Sequence, residues 1–117
     1  MTDRTTDEPR RPMLYLMNSP VLTNHGTFRF TPIPDVEAVK ELVQNGFESA
    51  IGHQGAADVM TADLGVPVSV IRRSVFLEKG DQAICLRLVE RLPEGQVLTA
   101  DKLRKIPHEY GLITRIE

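Results

Sequence analysis

Residues 35–46 require a helix that the rest of the fold must accommodate. Asp35 carries the short carboxylate of a helix N-cap, Val36, Val39, Leu42 and Val43 recur at helical spacing, and Asn45-Gly46 supplies the stop. A helix with one apolar stripe must bury it against one surface. The flanking sequence offers strands. Met13-Leu14-Tyr15-Leu16-Met17 is a brief apolar run ending in the turn residues Asn18-Ser19-Pro20, which fits a buried strand. Thr27 to Thr31 alternates as a second strand, closed by Pro32 and Pro34, and Phe47 to Ile51 reads as a third. Strands alternating with a one-sided helix describe an α/β fold in which the helix lies on a sheet face.

The rest of the chain extends this pattern. From His53, the residues Ala56, Ala57, Val59, Met60 and Leu64 trace a second helix, ended by Gly65 and Pro67. Val68 to Glu78 and Gln82 to Val89 are rich in Val and Ile and flank Lys79-Gly80-Asp81, which predicts a β-hairpin, the clearest structural expectation in the chain. Arg72, Arg73 and Arg87 would then mark a solvated or ligand-facing side. Leu92 to Gly95 is a tight turn, Thr99 caps a short helix through Asp101, Leu103 and Ile106, and Gly111 to Ile116 is a final strand. The expectation is one α/β domain over residues 13–117, a mixed β-sheet flanked by three helices. Residues 1–12 hold little to bury and read as a disordered tail.

A chain of 117 residues suffices for one core. No apolar run approaches the ~20 residues that span a bilayer, and the opening residues lead into no signal-peptide core. Cys85, the single cysteine, sits in an apolar run as a buried thiol, so a reducing cytoplasm is the expected compartment. A formal charge of −2 argues against a protein that coats DNA or RNA. It leaves room for a small anion held by a few focused groups.

The stretch Ser49-Ala50-Ile51-Gly52-His53-Gln54-Gly55 turns an extended segment into a helix. Unpaired N–H groups and the positive end of the helix dipole favour an anion there. An imidazole beside that anion can protonate a leaving oxygen. By itself such a stretch is more often a surface histidine next to a glycine turn. Metal ligation is poorly supported: His25, His53 and His108 are far apart and none belongs to a ligand-spacing motif. No Gly-rich phosphate loop occurs, and Ser19, Ser49, Ser69 and Ser74 lack a nucleophile-elbow context. What remains is His53 with Arg91 and Glu94, plus the polar loop residues Asn18, Ser19 and Thr23. An arginine fork matches a phosphate, and a neighbouring glutamate can orient it or take a proton. Such a set suits metal-free RNA cleavage, in which the ribose 2′-hydroxyl attacks its own phosphorus and a histidine protonates the departing 5′-oxygen. The plainer alternative makes Arg91 and Glu94 an exposed ion pair worth ~0–1 kcal/mol.

Three motifs occur in one order: Leu14-Tyr15-Leu16-Met17-Asn18-Ser19, Ile51-Gly52-His53, and Glu90-Arg91-Leu92-Pro93-Glu94-Gly95-Gln96-Val97-Leu98-Thr99. In these the chain resembles the small viral anti-CRISPR ring nucleases that act against type III CRISPR systems, and their cellular relatives. The likeness covers nearly the whole chain after the tail. It implies a homodimer with a mixed sheet that binds cyclic tetra-adenylate across its interface. It also implies metal-independent cutting of that messenger into linear products ending in 2′,3′-cyclic phosphate, with no cofactor, which silences the effector nucleases. By this resemblance His53 matches the catalytic general acid, and Arg91 and Glu94 match the other catalytic positions. Asn18, Ser19, Thr23, Gly52 and Gly95 match the ligand-binding set. The loop after Asn18 varies among members, some of which carry a serine where this chain has Val21. The alternative function is a cyclic-nucleotide sponge or sensor with the same pocket and no turnover.

Overall fold

The computed structural model describes residues 12–19, 22, 24–88 and 99–117. Among these, five strands form one mixed sheet and three helices pack on it. In chain order they are β1 (Leu14–Met17), β2 (Phe28–Ile33), α1 (Val36–Val43), β3 (Glu48–Ala50), α2 (Gln54–Leu64), β4 (Gln82–Leu88), α3 (Ala100–Lys105) and β5 (His108–Arg115). The strand order is β2-β5-β4-β1-β3. β1 runs parallel to both β3 and β4, while β5 is antiparallel to β4 and β2. All three parallel strands therefore end at one edge of the sheet.

The caps form as local chemistry requires. Asp35 Oδ1 accepts from the Ala38 N–H at 2.9 Å, and Thr99 Oγ1 accepts from Lys102 at 3.3 Å. Gly65 closes α2 in the left-handed conformation (φ 71°), where a side chain would be strained. The helices cover one sheet face, burying Leu16, Val39, Ile51, Val59, Met60, Ile84 and Leu86. Met17, Ala50, Ala83, Cys85 and Ile113 line the opposite face and pack against Val75 and Leu77.

The expected hairpin is absent. Residues 69–78 pair with β4 nowhere, because β4 already has β1 on one side and β5 on the other. The segment passes outside β3 instead, held by a parallel bridge between Ile51 and Val70 and by side-chain hydrogen bonds of Ser49, Arg72 and Arg73. Its alternation is still used, since Val75 and Leu77 turn inward over the second face. The turn at its end is real. The Asp81 N–H donates to the Glu78 carbonyl, and the buried Asp81 carboxylate accepts from the Met13 and Glu78 N–H groups, all at 2.9 Å. β2 also runs further than expected, through Pro32, because an edge strand tolerates a residue without an N–H. β5 starts earlier than expected, at His108, where the chain resumes extended geometry after Pro107 and pairs with Leu88. The tail at 1–11 and the turn at 92–95 lie outside the described residues.

Candidate functional site

The edge where the parallel strands end carries the polar groups. In open α/β sheets this edge is the usual place for a ligand, since loops and helix N-termini gather there. β1 ends into Asn18-Ser19, and β3 ends into Gly52-His53. β4 leads directly into residues 89–98, which hold Arg91, Glu94 and Gly95 and, like Thr23, lie outside the described residues.

The turn into α2 is clamped on both sides. The Gly52 N–H donates to Asn18 Oδ1 at 2.9 Å, and the Gly52 carbonyl accepts from Arg72 Nε at 3.1 Å. The Gly52 N–H is thus already engaged, which makes this residue part of the turn more than a donor to a ligand. Asn18 fixes the turn with its oxygen and offers its Nδ2 donors to the surroundings. Next along the chain, His53 is the N-cap of α2, its Nδ1 accepting from the Ala56 N–H at 3.4 Å. A ring nitrogen that accepts carries no proton, so the proton of the neutral ring is on Nε2. The ring is exposed, and the long cap bond yields easily.

Two clefts meet at this turn. The larger, of about 900 Å³, is lined by Asn18, Ser19, His53, Phe30, Arg87 and Glu109 among others. The smaller, of about 220 Å³, is lined by Asn18, Ser19, Gly52, Arg72, Arg73 and Ser74. Asn18 and Ser19 belong to both. The structure therefore brings together four of the residues singled out in the sequence: Asn18, Ser19, Gly52 and His53.

Arg72 and Arg73 were placed in the sequence on a hairpin strand. They instead reach back to β3 and its turn, Arg73 donating to the Ser49 carbonyl at 2.8 Å and lying 3.5 Å from Glu48. Arg87, expected on a solvated or ligand-facing side, is exposed, lines the larger cleft and pairs with Glu109 at 2.9 Å. His108, weighed in the sequence only as a metal ligand, belongs to a buried polar cluster. Its Nε2 lies 2.6 Å from Asp63 Oδ2, its Nδ1 faces the Ile106 carbonyl, and Tyr110 donates its hydroxyl to the same Asp63 oxygen at 2.6 Å. Burial, followed by the Asp63 carboxylate, holds the Tyr110 hydroxyl protonated far above its ordinary range. The sequence did carry a signal for this cluster: Asp63 falls on the buried stripe of α2 with Ala56, Val59 and Met60. Among the described residues no group of three or more His, Cys, Asp or Glu side chains gathers as a metal site. Burial pushes the Cys85 thiol up to about 12.

The sequence profile of the STIV B116-like family matches residues 14–110, from the start of β1 into β5. The chain belongs to this family. Among its relatives is the uncharacterized protein ORF117 of Acidianus two-tailed virus, 36% identical over 111 residues, covering 90% of this chain and 95% of that protein. YddF of Bacillus subtilis is 31% identical over 104 residues, covering 86% and 95% respectively, so relatives occur in both a virus and a bacterium. The solved structure of B116 of Sulfolobus turreted icosahedral virus superposes with a TM-score of 0.71 at 21% identity, covering 88% of this chain and 99% of that one. At that identity the likeness establishes the fold.

Proposed function

We propose that this STIV B116-like protein is a metal-independent ring nuclease. It binds cyclic tetra-adenylate, the type III CRISPR second messenger, as a homodimer and cuts it to linear oligoadenylates ending in 2′,3′-cyclic phosphate. The observation that carries this reading is the clamped turn: Asn18 and Arg72 hold Gly52 from both sides, and the turn delivers His53 to the mouth of a large cleft. The N-terminus of α2 attracts a phosphate. That phosphate supplies the negative charge an imidazolium needs at this end of a helix, and His53 gives up its weak cap as Nδ1 takes a proton. The doubly protonated ring then donates to the 5′-oxygen as its bond to phosphorus breaks, while the ribose 2′-hydroxyl gives its proton to water and closes on phosphorus. Arg91 and Glu94, which follow β4 in the sequence, complete the set in this reading as phosphate clamp and its orienter. Two copies related by a two-fold axis match the approximate symmetry of the ring.

A second reading, a sponge or sensor without turnover, draws on the cap itself, since capping α2 gives His53 a structural use that needs no catalysis. Variants separate the two. His53→Asn keeps a good N-cap and cannot act as an acid, whereas His53→Ala loses both. Both are incubated with cyclic tetra-adenylate in EDTA beside the wild type. Linear products from the wild type alone, with ligand still bound by His53→Asn, support the enzyme. Turnover by His53→Asn at the wild-type rate would remove His53 from the chemistry. An intact ring with every protein, and a raised melting temperature, would favour the sponge.

A further inference from the structure

Phe30 sits on the edge strand β2 and is 58% exposed. A single exposed aromatic needs no explanation on a protein surface. This one lines the same cleft as Asn18, Ser19 and His53. Phe76 is equally exposed yet lines neither cleft. The ring of Phe30 is also seated. It lies directly over Gly111 of β5, and a Cβ built at Gly111 would fall 2.6 Å from its Cζ atom, inside contact distance. Only glycine leaves room for the ring to rest on the sheet backbone. One side of the ring is thus supported by protein and the rest stays open to the cleft.

A supported, solvent-facing aromatic lining the same cleft as an anion-favouring helix terminus offers what a nucleotide requires: a surface for the base and a charge site for the phosphate. The cleft volume of about 900 Å³ suits a ligand of that size. We infer that Phe30 is a base-stacking platform that receives the purine ring of a nucleotide whose phosphate lies at His53. This deepens the cyclic-nucleotide reading of the site and rests on it. Stacking on one base contributes about 1–3 kcal/mol by alanine substitution, which is roughly 5- to 150-fold in affinity.

The test uses the full-length protein, cyclic tetra-adenylate as the probe, and the variants Phe30→Ala and Phe30→Trp. The natural chain has no tryptophan, so Phe30→Trp places a lone fluorophore on the platform. Calorimetric titration is expected to show Phe30→Ala binding 5- to 150-fold more weakly, with an unchanged ligand-free melting temperature and sedimentation coefficient. Phe30→Trp is expected to restore affinity, and its emission to change saturably as ligand binds. Wild-type affinity in Phe30→Ala, or a silent tryptophan in a Phe30→Trp protein that binds, would overturn the platform and leave the site reading standing. Weaker binding accompanied by a change in oligomeric state would also overturn it, since the ring would then hold a second copy of the chain. Failure of the wild type to bind the probe at all would overturn both the platform and the cyclic-nucleotide reading.

Discussion

Replacing Asp63 by alanine is expected to cost more stability than any change at the clefts. The Asp63 side chain is 3% exposed and that of His108 is 8% exposed. The one carboxylate oxygen Oδ2 serves both His108 Nε2 and the Tyr110 hydroxyl. Truncation strands two buried donors, and a hydrogen bond to a charged acceptor contributes about 1.5–3 kcal/mol. Because the two share one oxygen, their losses do not simply add, and a total of about 3–5 kcal/mol is expected. That is a large part of the 5–15 kcal/mol that stabilises a typical domain. For a chain of this size it corresponds to a melting temperature lower by roughly 12–20 °C. The assay is urea denaturation of the wild type, Asp63→Ala, Tyr110→Phe and the double variant. Tyr110→Phe alone should cost about 1–2 kcal/mol. In the double variant the stranded hydroxyl is gone, so the combined loss should fall short of the sum by at least about 1 kcal/mol. A loss below about 1 kcal/mol for Asp63→Ala, or strictly additive losses, would refute a shared acceptor that ties α2 to β5.

Further expectations concern the site and the thiol. Arg72→Ala removes a donor to the Gly52 carbonyl from an exposed position, so its stability cost should stay near 1 kcal/mol. Its larger effect should be at least tenfold weaker binding of cyclic tetra-adenylate, read by calorimetry; unchanged affinity would confine Arg72 to the turn. Cys85 should resist a thiol reagent at pH 8 in the folded protein and react on addition of denaturant, and rapid native labelling would contradict its burial. The buried thiol also gives stability a pH dependence. Its folded value of about 12 lies above the 9.0 of an unburied thiol, so between these values the folded state holds a proton that the unfolded state has released. The contribution is fully present below pH 9 and declines as pH rises, by up to about 1.4 kcal/mol per pH unit. Cys85→Ala should show a shallower loss between pH 9 and 11 than the wild type, by thermal melts at each pH.

Local signals in this chain were legible because local chemistry sets them. Asp35, His53 and Thr99 begin helices, and Gly46 and Gly65 follow their ends, as their side chains or their lack of one require. The segment 68–78 misled for the same reason: alternation records which side chains are buried and does not name the partner. Val75 and Leu77 are buried as an alternating strand would bury them, against a sheet face and with no strand beside them. Arg72 was visible as a cation of uncertain use, because its contact with Gly52 joins residues that only the packing of 69–73 outside β3 brings together. His108 was read through its metal-binding chemistry, when the partner that gives it a role lies in α2.

The sequence by itself determined where helices start and stop, that the runs around Leu14, Phe28 and Glu48 are strands, that Cys85 is buried, and that His53 stands at a helix N-terminus. These depend on interactions within a few residues, or on apolar burial that composition already demands. Only the tertiary structure decided the strand order, the exclusion of 68–78 from β4, the clamp of Asn18 and Arg72 on Gly52, and the seating of Phe30 over Gly111. Each of these is a competition among distant partners for one edge, one backbone group or one patch of surface. Such a competition is settled only when the whole sheet closes.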